Sequence, residues 1–206
     1  MIELRLRQRF ARLVTNVVVR RPGLWALFRR PIAWTFGQIA ADWDEKRVTP
    51  QHLLALEAAF ERVEPPRRVL DLGTGSGAAA RAAAARWPDA RVVGVDVTPA
   101  MIGEATARAT SDRETYLVGD ASALASEDGA FDLVLLMNMI PFFDELERVT
   151  APGGNVVIAF SRGPATPIWV PLGRVRTELE RRGFSHVADF SAGAGVSLLA
   201  RKGDQS

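Results

Sequence analysis

The sequence predicts an α/β fold in which a largely parallel sheet is covered on both faces by helices, with a separate helical segment ahead of it. Three observations predict it. From residue 67 onward, short apolar or β-branched runs alternate with helical stretches, and the runs are continuously apolar, as strands buried on both faces must be. Three successive runs end in aspartate, at Asp71, Asp96 and Asp120, spaced by 25 and 24 residues. Ahead of Pro65-Pro66 the apolar period is that of a helix instead. The division falls near residue 66, giving a helical segment over 1–66 and a sheet domain over 67–206.

Taken in order, Leu6, Phe10, Leu13, Val14 and Val17 recur at helical spacing, with Arg5, Arg9, Arg12 and Asn16 on the other positions. Pro22-Gly23 stops this helix and a second follows over Leu24–Gly37. A third begins with Thr49 as N-cap and Pro50 at the first helical position, running to about Val63. The expected strands are Arg68–Leu72, Arg91–Val95, Thr115–Val118, Phe131–Met137 and Asn155–Phe160. Between and after them lie helices at Ala78–Trp87, Pro99–Ala109, a short Ala121–Ala125, Phe142–Val149 and Leu172–Arg182. Val187–Phe190 and Val196–Arg201 flank Ala192-Gly193-Ala194-Gly195, a hairpin signal that makes the last strand antiparallel.

Composition removes much chemistry. With no cysteine and two histidines, His52 and His186, the chain cannot build thiolate sites, a cysteine nucleophile or a multi-histidine zinc site, and no metal is expected. Charge is uneven. Residues 1–31 hold eight arginines against one acid, Glu3, so this arm carries +7 while the remainder carries −5 of the overall +2. A basic arm on an acidic body differs from the basic stripe of a nucleic-acid-binding domain, so no nucleic-acid partner is expected. No apolar run reaches the roughly 18 residues of a membrane span. The arm lacks a continuous apolar region and does not read as a secretory signal, although it is arginine-rich and acid-poor like a transit peptide. A cytoplasmic location is expected.

The informative motif is Val69-Leu70-Asp71-Leu72-Gly73-Thr74-Gly75-Ser76-Gly77, between a strand and a helix. Glycines at alternate positions allow a sharp turn and let a ligand approach backbone amides that a Cβ would shield. Asp71 stands at a strand end where an anion can meet a cationic ligand group. Asp96, nineteen residues beyond Gly77, is placed to accept both hydroxyls of a ribose. Ligands of open α/β sheets bind at the carboxyl ends of the strands, where all three acids lie.

These residues resemble the class I S-adenosylmethionine-dependent methyltransferases. Asp71–Gly77 matches that family's first motif in its GxGxG form, and Val93-Gly94-Val95-Asp96-Val97-Thr98-Pro99-Ala100-Met101 resembles the second. Gly119-Asp120-Ala121 resembles the adenine-contacting motif, and Phe131-Asp132-Leu133-Val134 with Asn138 the fourth strand. Arg148-Val149-Thr150-Ala151-Pro152-Gly153-Gly154 is similar to the family's Arg-Val-Leu-Lys-Pro-Gly-Gly. Phe36–Asp44 resembles the lead-in of small-molecule and quinone C-methyltransferases, with Trp43 in place of tyrosine.

The resemblance covers residues 67–203 and implies a Rossmann-like seven-stranded sheet of order 3-2-1-4-5-7-6 beneath an N-terminal helical lid. It implies S-adenosylmethionine as cofactor. Gly73, Gly75 and Gly77 would expose backbone to the methionine part beside Asp71, and Asp96 would hold the ribose. Val97 and Met101 would sandwich adenine, Asp120 with Ala121 would read its edge, and Asn138 would face the sulfonium.

The acceptor is less defined. Met139, Phe142 and Phe143, with Trp34, Trp43 and Trp169 in the expected lid and substrate wall, suggest a small apolar or aromatic molecule. Asn138-Met139-Ile140-Pro141-Phe142 replaces the motif of adenine amino-methylation, and the lack of cysteine excludes cysteine-dependent methylation of cytosine C5 or arsenite. Asp42, His52 and Asp144 are candidate general bases if the acceptor must lose a proton. A short-chain reductase is excluded, because the one tyrosine, Tyr116, sits on a strand four residues before an acid. Two alternatives stay open: a binding module without catalysis, and a lipid or quinone methyltransferase at a membrane surface, reached through the basic N-terminal helix. Either a monomer or a homodimer is compatible with the sequence.

Overall fold

The structure, a computed structural model, describes residues 2–41, 43 and 48–204, with side chains from residue 8 onward. Helices α1 (Ile2–Arg20) and α2 (Trp25–Gly37) are joined by a 3-10 turn, Pro22–Leu24; α3 is Pro50–Phe60. Then follow β1 (Arg68–Leu72), α4 (Ala78–Arg86), β2 (Arg91–Asp96), α5 (Pro99–Ala107), β3 (Glu114–Val118), β4 (Phe131–Met137), α6 (Phe143–Val149) and β5 (Thr150–Phe160). Helix α7 (Leu172–Glu180), β6 (Phe184–Ala192) and β7 (Gly195–Lys202) complete the chain.

The seven strands form one sheet in the order β3-β2-β1-β4-β5-β7-β6. Strands β1 to β5 pair in parallel, and β7 is antiparallel to both β5 and β6. The chain steps outward one way from β1 to β3, then returns to β4 and steps the other way. A crevice therefore opens at the carboxyl ends of β1 and β4, where the connections diverge.

The pleat sorts neighbouring residues to opposite faces. Leu70, Leu72, Val134, Leu136, Val156 and Ile158 join one core with α1, α2, α6 and α7. Val69, Leu133, Leu135, Val157 and Ala159 join the other with α3, α4 and α5. Helix α4 presents Ala79, Ala80 and Ala83 to the sheet, and such small side chains bring its backbone close behind the glycine-rich turn.

Four expectations change. Residues 121–125 form a turn and no helix, because Asp120 Oδ1 accepts the Ser122 amide and hydroxyl, a side-chain bond that competes with helix formation. Strand β5 starts earlier, at Thr150, and β6 extends over Phe184–Ala192 in an alternating half-buried pattern with a bulge near His186. Helix α1 is turned so that Val14, Thr15 and Val18 are buried, leaving Phe10 and Leu13 of the apolar stripe 55% and 60% exposed.

The fourth change concerns α3. This helix lies against β5, β7 and β6, with Ser197 Oγ donating to the Ala55 carbonyl at 2.6 Å and Phe60 against Trp87, ring centroids 4.7 Å apart. It is a layer of the sheet domain, so packing does not divide at residue 66. Leu56 is fully buried in that layer. Leu56→Ala should cost about 2–5 kcal/mol in denaturant unfolding, as for other buried leucines; a loss below about 0.5 kcal/mol would place α3 outside the cooperative core.

Candidate cofactor and acceptor site

Strand β1 delivers Asp71 to the base of the crevice. It is 1% exposed, and its Oδ2 accepts the Thr74 hydroxyl at 2.7 Å and the Ala80 amide at 3.0 Å. The carboxylate thus ties both ends of the glycine-rich turn to the strand end. Burial pushes its carboxyl up to about 7, against the lowering effect of these two bonds.

The turn itself is knit to β2. The Gly73 and Thr74 amides donate to the Val95 carbonyl at 2.8 and 3.1 Å, and the Gly75 amide donates to Asp96 Oδ2 at 3.0 Å. Gly73 has φ +66°, and a Cβ there would stand 2.6 Å from Met139 Sδ, so the turn requires glycine on both counts. Gly75 has φ +54° and nothing within 4 Å of its Cβ position, which leaves open space over the backbone. Gly77, also at positive φ, leads into α4.

Asp96 ends β2, with Oδ1 accepting the Thr98 amide at 2.8 Å. Its pKa is raised, burial outweighing the bonds from Thr98 and Gly75. Asp120, just beyond β3, is the most heavily bonded of the three acids. Its Oδ1 accepts Trp25 Nε1 at 2.8 Å as well as both Ser122 donors, and its Oδ2 accepts Arg29 at 2.9 Å. Burial opposes its charge, but these four donors together hold the carboxyl below its ordinary range. Met101 and Ala121 are buried nearby in the chain order and Val97 is half-buried.

Beyond β4, Asn138 has φ 55°, the one left-handed non-glycine residue among the described residues. Its amide nitrogen donates to Ser161 Oγ at 2.9 Å, its carbonyl oxygen accepts the Ser161 amide at 2.9 Å, and its own backbone amide donates to the Ala159 carbonyl. This pair of hydrogen bonds across the ends of β4 and β5 fixes an unfavourable conformation at the crevice rim.

The expected acceptor residues separate. Met139 covers Gly73. Phe142 and Phe143 are buried in the core, Phe142 edge-on to Trp25 and Phe143 beneath the Arg182 guanidinium. Trp169 meets Phe160 edge-on, and Trp43 meets Phe36. Trp34 is 70% exposed, on the side of α2 opposite Trp25.

Of the candidate bases, Asp42 lies outside the described residues. His52 Nδ1 accepts the Thr49 amide at 3.1 Å and lies 2.9 Å from the Thr49 hydroxyl, closing the start of α3. Asp144 pairs with Arg182 at 2.7 Å and lines a hollow of about 580 Å³ with Asp128, Pro152 and Lys202, at the amino ends of β4 and β5. Sequence reasoning missed Arg29, which the i, i+4 spacing from Trp25 would have put on the same face, and Ser161, for which no local signal exists.

The donor set suits S-adenosylmethionine. A carboxylate has about four acceptor positions. Asp96 accepts the Thr98 and Gly75 amides and the Thr98 side chain, which leaves it acceptor capacity for a ribose hydroxyl, and Asp120 retains acceptor capacity on Oδ2 for an exocyclic amine. The sheet order, the glycine-rich turn and the strand-end acids define a class I methyltransferase fold.

Residues 69–154 match the model of the methyltransferase domain family. A malonyl-[acyl-carrier protein] O-methyltransferase of Halorhodospira halophila is 37% identical over 150 residues, 67% of this chain and 50% of that protein. A demethylmenaquinone methyltransferase of Thermus thermophilus is 40% identical over 113 residues, half of each chain. Among solved structures, a SAM-dependent methyltransferase from Aquifex aeolicus superposes with TM-score 0.64 at 19% identity, covering 74% of this chain and 93% of that one. The chain carries a methyltransferase domain on the class I fold, and S-adenosylmethionine is the cofactor of the methyltransferases it resembles. The chain spans about half the length of the curated relatives it matches.

The state of Asp71 sets a pH dependence. Unfolded, its carboxyl ionises near 3.8; folded, near 7, so the folded chain holds an extra proton between these values. Stability from this group is present below about pH 4 and declines as pH rises through 7. Asp71→Asn removes the titration, so the variant should gain stability relative to the parent between pH 4 and 7. A constant difference across that range in urea titrations would mean Asp71 is not held protonated.

Proposed function

We propose that the chain transfers a methyl group from S-adenosylmethionine to a small apolar or aromatic acceptor. The observation that carries this reading is the open face of Gly75 beside Asp96, with Asp120 at the next strand end. In this reading Asp96 holds the ribose, Val97 and Met101 flank the adenine, Asp120 and Ala121 read its edge, and Asn138 lies beside the reacting end. Asp71 acts from beneath, fixing the turn whose backbone meets the methionine part.

Bound S-adenosylmethionine supplies a methyl group on a positively charged sulfur, from which an acceptor atom can displace it. The chain's part is alignment and exclusion of water. Pre-positioning two reactants can supply roughly 7–11 kcal/mol of the barrier, and a dry crevice keeps water from stabilising the charged reactant over the transition state. Met139, partly buried over Gly73, offers apolar surface at the rim, and relatives named for quinones and for an acyl acceptor support a small organic substrate. His52 and Asp144 are engaged in a helix cap and a surface ion pair, so the reading gives them no proton step.

Helices α1 and α2 serve as the lid in this reading, with α3 belonging to the sheet domain. Trp25 and Arg29 hold the same carboxylate that would read adenine, so closing the lid and binding the cofactor share Asp120.

Calorimetry should detect S-adenosylmethionine binding, and Asp96→Ala should weaken it by about 1.5–3 kcal/mol, the range for hydrogen bonds to a charged group. Turnover, read as S-adenosylhomocysteine release, is expected with an aromatic hydroquinone or a carboxylic acid from an acceptor panel. Binding without turnover on any acceptor would favour a ligand-binding module, and unchanged affinity in the variant would remove Asp96 from the ribose.

For the lid, Trp25→Phe with Arg29→Met keeps most of the packing but removes two donors to Asp120. Added S-adenosylhomocysteine should slow hydrogen exchange over residues 22–37 in the parent and much less in the double variant. Equal protection in both would uncouple the lid from Asp120.

A further inference from the structure

Helix α1 has two apolar faces, and the body of the protein uses one. Val14 and Val18 are buried against the domain, and Arg12 donates to the Pro164 and Thr166 carbonyls at 2.5 and 2.7 Å, holding the helix in place. On the adjoining side Phe10, Leu13 and Val17 follow one another at i, i+3 and i+7, with Phe10 and Leu13 more than half exposed. This stripe runs into a shallow hollow of about 430 Å³, where Leu13 and Val17 meet Leu24, Arg20 and Arg21. Arg9, Arg20 and Arg21 are exposed around it, and none has a carboxylate partner among the described residues. Helix α2 repeats the pattern on its outer side, where Leu27 and Trp34 are 68% and 70% exposed with Arg30 between them.

We propose that this outer face docks on an anionic lipid surface. Single exposed apolar residues need no explanation, but a contiguous stripe bordered by unpaired arginines does. Its charge selects the occupant. An arm of eight arginines against one acid repels a second copy of itself, which disfavours pairing of this face with its own image. A polyanion such as RNA would satisfy the arginines and leave Phe10, Leu13 and Leu27 in water. An anionic bilayer satisfies both, taking the apolar side chains below the headgroups while guanidiniums on long stems remain at the phosphates. No described helix is long and apolar enough to cross the membrane, so the contact is peripheral. The surface is separate from the cofactor crevice, and the inference does not rest on the methyl-transfer reading. It adds to that reading a source of lipophilic acceptors.

The test is flotation of the full chain with phosphatidylcholine–phosphatidylglycerol vesicles, against phosphatidylcholine alone. The parent should float with the anionic vesicles and remain with the soluble fraction otherwise. Phe10→Ser with Leu13→Ser, and separately Arg20→Gln with Arg21→Gln, should each weaken binding on the order of tenfold, the scale that two basic residues at an anionic surface supply. These positions are exposed, so folding is retained, and S-adenosylmethionine affinity should be unchanged in both pairs. Failure of the parent to bind anionic vesicles would overturn the proposal, as would binding indifferent to both pairs. Self-association abolished by Phe10→Ser with Leu13→Ser would assign the face to a second copy, and binding to an oligonucleotide but not to vesicles would assign it to nucleic acid. Failure of S-adenosylmethionine to bind the parent would sink the methyl-transfer reading alone.

Discussion

The site depends on one buried carboxyl. Asp71 sits beneath a turn that reverses the chain between β1 and α4, and its Oδ2 bonds residues on both sides of that turn, Thr74 and Ala80. An exposed acid would bond water in preference, and an apolar residue would leave the Ala80 amide and Thr74 hydroxyl without this partner. With the turn held, Gly75 can give its amide to Asp96 while its outer face stays open. The protein bears the desolvation of this group, which raises its pKa, and gains a turn fixed at both ends.

Asp120 carries the second constraint. Four donors converge on it from two parts of the chain, Ser122 from its own turn and Trp25 and Arg29 from α2. An acceptor shared in this way makes the position of α2 sensitive to whatever else bonds that carboxylate. The same helix is packed through Trp25 onto Phe142, so a change at Asp120 reaches the rim beyond β4. Helix α2 is in this way tied to the end of β3, although it lies outside the segment matched by the domain family, 69–154.

Much of this was legible in the sequence because it is local or periodic. Continuous apolar runs, the glycine spacing and the recurrent aspartates locate β1 to β4 and the turn between β1 and α4 to within about a residue. The hairpin glycines set β7 antiparallel. What escaped depends on partners distant in sequence. The turn at 121–125 has a helical composition, and Asp120 overrides it through a side-chain bond. Phe142 and Phe143 have the residue types of an acceptor wall, yet the paths of α6 and α7 bury both in the core. Asn138 could be assigned to the rim by resemblance, but its left-handed backbone follows from Ser161, twenty-three residues on, which no motif marks.

Helix α1 is the instructive failure of periodicity. Its apolar positions make a convincing stripe, and such a stripe ordinarily faces a core. Here Val14 of that stripe is buried, and with it Thr15 and Val18 on the adjoining side of the helix. Phe10 and Leu13 are left outside among arginines. Hydrophobic spacing reports that a helix has an apolar face without saying what covers it. On a chain whose sheet core is complete and whose N-terminal charge is strongly one-sided, the second face is free to meet something other than the protein itself.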